Sequence, residues 1–108
     1  MLGGVRTEFS DEVSDGCRTV AASNGPDEYI LWLCDADGSV YFEWDDQSNS
    51  GYDTVSKVVI DAERCHLVLG ERVLSFNWRS IQEPELGKFA SALQELYQET
   101  PQVVSVRL

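Results

Sequence analysis

Acidic and aromatic residues are interleaved through the middle of this chain, which only a folded strand, not a tail, accommodates. From Asp27 to Asp53 there are eight carboxylates: Asp27, Glu28, Asp35, Asp37, Glu43, Asp45, Asp46 and Asp53. The same window holds Tyr29, Trp32, Tyr41, Phe42, Trp44 and Tyr52. No positive charge occurs between Arg18 and Lys57. Acidic disordered tails lack aromatic and β-branched residues. Here the acids alternate with side chains that need burial, so the charge is displayed on folded strands. A fixed negative surface attracts basic proteins or basic clefts, and it repels nucleic acid and anionic membranes.

The length of 108 residues fits one domain spanning 1–108. An apolar content of 43% supplies a core, while a net charge of −11 favours a monomer or homodimer over larger assemblies. No apolar run approaches the roughly 18–20 residues a membrane helix requires. Met1-Leu2-Gly3-Gly4-Val5-Arg6 lacks the charged start, apolar stretch and cleavage site of a secretory signal, which places the expected location in the cytoplasm. Cys17, Cys34 and Cys65 form an odd, widely spaced set, read as reduced thiols rather than a disulfide framework.

Residues 1–27 carry a weak pattern, with short strands expected at Val5 to Phe9 and Cys17 to Ala22. Ser23-Asn24-Gly25-Pro26-Asp27 is a loop punctuated by Gly and Pro. Glu28 to Cys34 and Ser39 to Asp45 read as two strands around Asp35-Ala36-Asp37-Gly38. A four-residue loop pairs Cys34 with Ser39, Leu33 with Val40, Leu31 with Phe42 and Tyr29 with Trp44 on an expected core face. Asp45 to Tyr52 is polar, contains Gly51 and reads as a loop. Thr54 to Asp61 is a β-branched strand. Arg64 to Leu69 and Arg72 to Trp78 form a hairpin whose Gly70-Glu71 turn pairs Leu69 with Arg72, Leu67 with Leu74 and Cys65 with Phe76. Glu83-Pro84-Glu85 opens a helix, and Leu86, Phe89, Ala90, Leu93, Leu96 and Tyr97 form its apolar stripe. Val103 to Leu108 is a last strand or an ordered tail. The expected fold is α+β: a mainly antiparallel β-sheet of about six strands, packed by one C-terminal amphipathic helix.

Chemical motifs are sparse. Asp35-Ala36-Asp37-Gly38 opens like a calcium loop, but the twelfth position, Asp46, lies beyond an apparent strand, so a hairpin turn is the better reading. Cys65 and His66 point to opposite faces of a strand and do not converge. His66 is the only histidine. There is no Cys-x-x-Cys, Gly-x-Ser-x-Gly or phosphate-cradling glycine loop. The expectation is therefore a non-enzymatic protein with no catalytic residue, metal or cofactor. A carboxylate or metal site built from Asp45, Asp46, Asp53 or His66 is the enzymatic alternative.

On the assumed register the second hairpin face carries Cys34, Trp32, Tyr41, Ile30 and Glu43. Either the N-terminal strands cover it, or it is an aromatic patch rimmed by Glu43, Asp35 and Asp37, the composition of a protein-binding hot spot. A further alternative is a self-associating sheet domain whose Trp32–Tyr41 face is its own dimer interface.

The stretch Tyr41-Phe42-Glu43-Trp44-Asp45-Asp46-Gln47-Ser48-Asn49-Ser50-Gly51-Tyr52, with the strands and the helix of Leu86, Phe89, Leu93 and Leu96 that follow, resembles the immunity protein 10 family of bacterial polymorphic toxin systems. The shared feature is a strand running into an Asp-Gln-Ser loop with a nearby Tyr, across about residues 28–98. The resemblance implies a protein that binds and neutralises a cognate toxin delivered by neighbouring bacteria. Many such toxins act on nucleic acid through a basic active-site cleft, which an acidic protein with aromatic anchors can occupy. The contact residues expected on this reading are Trp32, Asp35, Asp37, Tyr41, Glu43, Asp45, Asp46, Gln47, Ser48 and Tyr52. The Asp-Gln-Ser segment is either a contact or a structural corner, since Asp, Ser and Asn side chains readily bond nearby backbone.

Overall fold

The computed structural model describes residues 6–35, 37–81 and 83–108. Asp15 and Gly16 set the first reversal of the chain, with φ of 52° and 80°. A two-residue hairpin turn of type I′ has positive φ at both central positions, which Asp-Gly tolerates. This turn joins β1 (Glu8–Ser14) to β2 (Cys17–Ser23), with Ser14 opposite Cys17. Of the expected strand Val5 to Phe9, Val5 lies outside the described residues and Arg6 and Thr7 precede β1, which runs on to Ser14 because it pairs residue for residue with β2. β3 (Tyr29–Cys34), β4 (Val40–Trp44) and β5 (Asp46–Tyr52) continue the meander, giving a five-stranded antiparallel sheet in chain order.

The second sheet contains β6 (Lys57–Asp61), β7 (Arg64–Leu69), β8 (Arg72–Asn77) and β9 (Val104–Arg107) in the order β8-β7-β6-β9. The β7–β8 hairpin has the register its turn and apolar pattern predict: Leu69 opposite Arg72, Leu67 opposite Leu74 and Cys65 opposite Phe76. Gly70 sits at φ 62° in that turn. The helix α1 (Glu83–Leu96) returns the chain so that β9 pairs parallel with β6, a pairing no tight turn can make. The protein is α+β and mainly β, with one helix packed on the sheet. Nine strands form among the described residues, where about six were expected.

Two further expectations are corrected. Residues read as the polar loop Asp45 to Tyr52 form the edge strand β5, because Tyr52, Gly51 and Ser50 pair with Tyr41, Phe42 and Glu43. The β3–β4 register is also one residue away from the assumed one. Cys34 stands opposite Val40, Leu33 opposite Tyr41, Trp32 opposite Phe42 and Leu31 opposite Glu43. The Asp35 N–H bonds the Ser39 carbonyl at 2.9 Å, and Gly38 takes φ 92°, so the hairpin closes one residue later. A slip of one residue turns every side chain of a strand to the other face. Trp32 and Ile30 therefore point inward, and Tyr29, Leu31 and Leu33 point outward.

The inner faces of both sheets and the helix stripe share one core. Trp32, Phe42, Ile60, Leu67 and Leu93 are its largest fully buried side chains. Leu86, Phe89, Ala90, Leu93, Leu96 and Tyr97 are all buried, as their spacing predicts. Phe89 joins the layers: its ring centroid lies 5.0 Å from Phe9, 5.6 Å from Trp78 and 6.0 Å from Trp32. A buried polar node adds a second tie. The Thr7 hydroxyl accepts the Arg79 N–H at 2.7 Å and donates to Asn24 Oδ1, whose amide donates to the Asn77 carbonyl at 2.9 Å. Thr7 is fully buried, so this node connects the start of β1, the β2–β3 loop and the end of β8 without solvent.

Candidate protein-binding face

The helix and the second sheet cover the inner face of the first sheet, so its outer face is the one left half-exposed. Pairing places that face in rows. One row runs Glu12, Thr19, Leu33, Tyr41, Tyr52, and the next runs Ser10, Ala21, Leu31, Glu43, Ser50. Small side chains stand on β2, large apolar and phenolic ones on β3 to β5. Leu31, Leu33, Tyr29, Tyr41 and Glu43 are each partly exposed, and Tyr52 is 56% exposed.

Glu43 is the centre of this face. The Tyr41 hydroxyl donates to its Oε1 at 2.5 Å, and the Tyr29 hydroxyl donates to its Oε2. Hydrogen bonding to Glu43 pushes the Tyr29 phenol up to about 12 and raises Tyr41, because removing either proton would leave two negative groups in contact. Tyr52 is raised by hydrogen bonding to the Asp35 carboxylate, and its ring meets Tyr41 edge-on at 5.4 Å.

Of the ten residues expected at the contact, the structure gathers Tyr41, Glu43, Tyr52 and Asp35 on this face. Trp32 is excluded by burial: it is 0% exposed on the opposite face, so its expected place in a surface aromatic patch is corrected. Asp37 stands exposed in the β3–β4 turn, where its Oδ1 accepts the Ser39 N–H at 2.9 Å. Asp45, at φ 61°, forms the β4–β5 corner, and its Oδ1 accepts the Tyr29 N–H at 2.9 Å. Asp46 accepts the Ser48 N–H at 2.9 Å, and the Gln47 carbonyl accepts the Ser50 hydroxyl at 2.7 Å. Asp46 to Ser50 thus bond their own backbone while Asp45 ties the corner to β3, with Gln47 and Ser48 exposed on the sheet edge. Sequence reasoning missed Tyr29, Leu31 and Leu33. The alternative register would have shown them, but a strand apolar on both faces does not choose between registers.

Charge separates the two sheets. From Arg6 to Asp53, twelve carboxylates face only Arg6 and Arg18. Arg6 bonds Glu85, and Arg18 bonds Asp11 and Glu95. In residues 54–81 and 101–108 the balance reverses, with Asp61, Glu63 and Glu71 against Lys57, Arg64, Arg72, Arg79 and Arg107. The acidity of the chain therefore lies mainly in the first sheet and its loops, with a smaller share from Glu83, Glu85, Glu95 and Glu99 on and just after the helix.

Other features carry less. Cys65 is buried with its thiol pushed up by desolvation, and His66 lies on the other side of β7, as their adjacency requires. The His66 Nδ1 meets the Ser75 hydroxyl at 3.1 Å, and its Nε2 lies 3.9 Å from Asp61 Oδ2. A nucleophile also needs a substrate cleft and oxyanion donors, and His66 and Ser75 lie on an open sheet face. A cleft of about 530 Å³ between β1 and α1 has Phe9, Val20 and Phe89 at its base, with Arg6 bonded to Glu85 at its rim. Among the described residues no group of three or more His, Cys, Asp or Glu is placed to hold a metal ion. Among the same residues no helix is long and apolar enough to cross a membrane. No family model, curated protein or solved structure matches this chain.

Proposed function

We propose that this chain is a non-enzymatic immunity-type protein that binds and neutralises a cognate bacterial toxin in the cytoplasm. The observation that carries this reading is the partition of charge: the strands of the first sheet and the loops that join them, residues 6–53, hold twelve carboxylates and only two arginines, both paired within the chain. Such a surface draws a basic protein by long-range attraction and fits a cleft built to hold nucleic acid. The tyrosines and leucines of the outer face supply the apolar contact that charge alone lacks. The experiment is co-expression with the toxin domain encoded beside this chain. The pair co-purifies and growth is rescued, and the association rate falls by about tenfold or more between low and physiological salt. A toxin that neither co-purifies nor is neutralised removes the proposal.

The second reading is a self-associating domain. Val73 is 64% exposed on β8, an edge strand without acidic residues, beside the partly exposed Val68. Exposed apolar edges pair with one another. Sedimentation of the protein and of Val73→Glu tests it: a dimer that dissociates in the variant favours this reading, and a monomer in both removes it.

A further inference from the structure

We infer that the outer face of β2 to β5 is the docking surface for a basic protein, and that Glu43 is the acceptor for an arginine side chain of that partner. This inference rests on the proposed binding role and assigns its surface. An ionised carboxylate offers about four lone-pair sites. The Tyr29 and Tyr41 hydroxyls occupy one on each oxygen of Glu43. They also fix the carboxylate on the sheet, so a partner does not have to order it on binding. No arginine or lysine of the described residues forms an ion pair with Glu43, and Arg18 is committed to Asp11 and Glu95.

The surroundings select the occupant. Leu31 stands directly across from Glu43, and Leu33 directly across from Tyr41, so the floor beside the carboxylate is apolar. An arginine lays its methylene stem on such a floor, reaches a fixed carboxylate with its planar fork, and stacks on phenol faces. Glu12 ends the row of Leu33 and Tyr41, and Asp35 lies beside Tyr52, so the rim is acidic. That rim repels nucleic acid and anionic lipid. A second copy of this chain would bring the same acids against themselves. An open face with an apolar, phenolic centre and a charged rim matches a protein partner.

The test maps where arginine binds. Tri-arginine peptide is titrated into the isotopically labelled protein and followed by amide chemical shifts, alongside Glu43→Gln and the control Glu63→Gln. Glu43→Gln keeps an oxygen for a phenol and nearly the same shape, and a thermal melt checks its folding. The expected result is saturable shifts centred on Tyr29, Leu31, Leu33, Tyr41 and Glu43, binding weaker by about tenfold or more in Glu43→Gln, and no change in Glu63→Gln. Shifts centred on the Asp37 turn, the Asp45–Ser48 corner or β1, or equal binding by Glu43→Gln, overturn the inference. A growth assay against the neighbouring toxin domain separates the two claims. If Glu43→Gln and Leu31→Ser both protect as well as the parent chain, the surface is wrong and the immunity reading stands. If the parent chain does not protect, the immunity reading falls, and the peptide map still decides the surface.

Discussion

Trp32 on β3 stands directly opposite Phe42 on β4, their rings 4.9 Å apart, and both are closed to solvent. This pair fixes the register of the central hairpin. It puts the largest side chain of β3 under the helix and turns the tyrosines outward.

Truncating that pair measures the register directly. Trp32→Ala removes a fully buried ring and should cost about 3–5 kcal/mol in urea unfolding. Tyr52→Ala, on the outer face and 56% exposed, should cost less than about 1 kcal/mol. The register with Trp32 outside would bring its cost down towards that of Tyr52→Ala.

The buried Thr7 node should behave as a hydrogen-bond acceptor and donor rather than as packing. Thr7→Val keeps the volume but strands the Arg79 N–H and the Asn24 side-chain oxygen, costing about 1–3 kcal/mol. Thr7→Ser keeps both bonds and should stay within about 1 kcal/mol of the parent. Equal urea midpoints for Thr7→Val and the parent would contradict the node.

Alkaline pH should unfold the protein in steps set by its phenols. Tyr29 is raised to about 12 by Glu43, Tyr41 is raised by the same carboxylate, and Tyr97 is raised by burial. In the unfolded chain a phenol loses its proton near pH 10. Between about pH 10 and 12 the unfolded state holds fewer protons than the folded state, so stability falls as pH rises. It is complete below about pH 10. The double variant Tyr29→Phe, Tyr41→Phe should flatten the decline of the urea midpoint, and an unchanged slope would contradict the assignment.

Gly51 lies where β5 passes Thr54, and a Cβ built there meets the Thr54 Cγ2 at 2.6 Å. Thr54 is exposed and its side chain can turn, so Gly51→Ala should cost no more than about 1 kcal/mol. Thr54→Ser removes that methyl, so the double variant should recover most of the loss. A double variant no more stable than Gly51→Ala would place the strain elsewhere.

Local chemistry made much of this molecule legible before any coordinates. The β7–β8 register follows from a two-residue turn and an apolar pattern that agree, and the helix follows from its stripe between Pro84 and Pro101. β4 was readable because Val40, Phe42 and Trp44 alternate with Tyr41 and Glu43. β3 was not, because Tyr29 to Cys34 is apolar at nearly every position and either face could be buried. β5 was hidden by its composition: an edge strand with no buried residue carries no hydrophobic period.

Sequence by itself determined the acidity of the middle of the chain, the α+β class and the hairpin of the second sheet, because each depends on neighbouring residues. The outer face of the first sheet was decided by tertiary packing. The sheets and the helix close around Trp32, and only that closure turns Tyr29, Leu31 and Leu33 to the side of Tyr41 and Glu43. A one-residue register is a choice between two faces, and the choice is made by what packs against them.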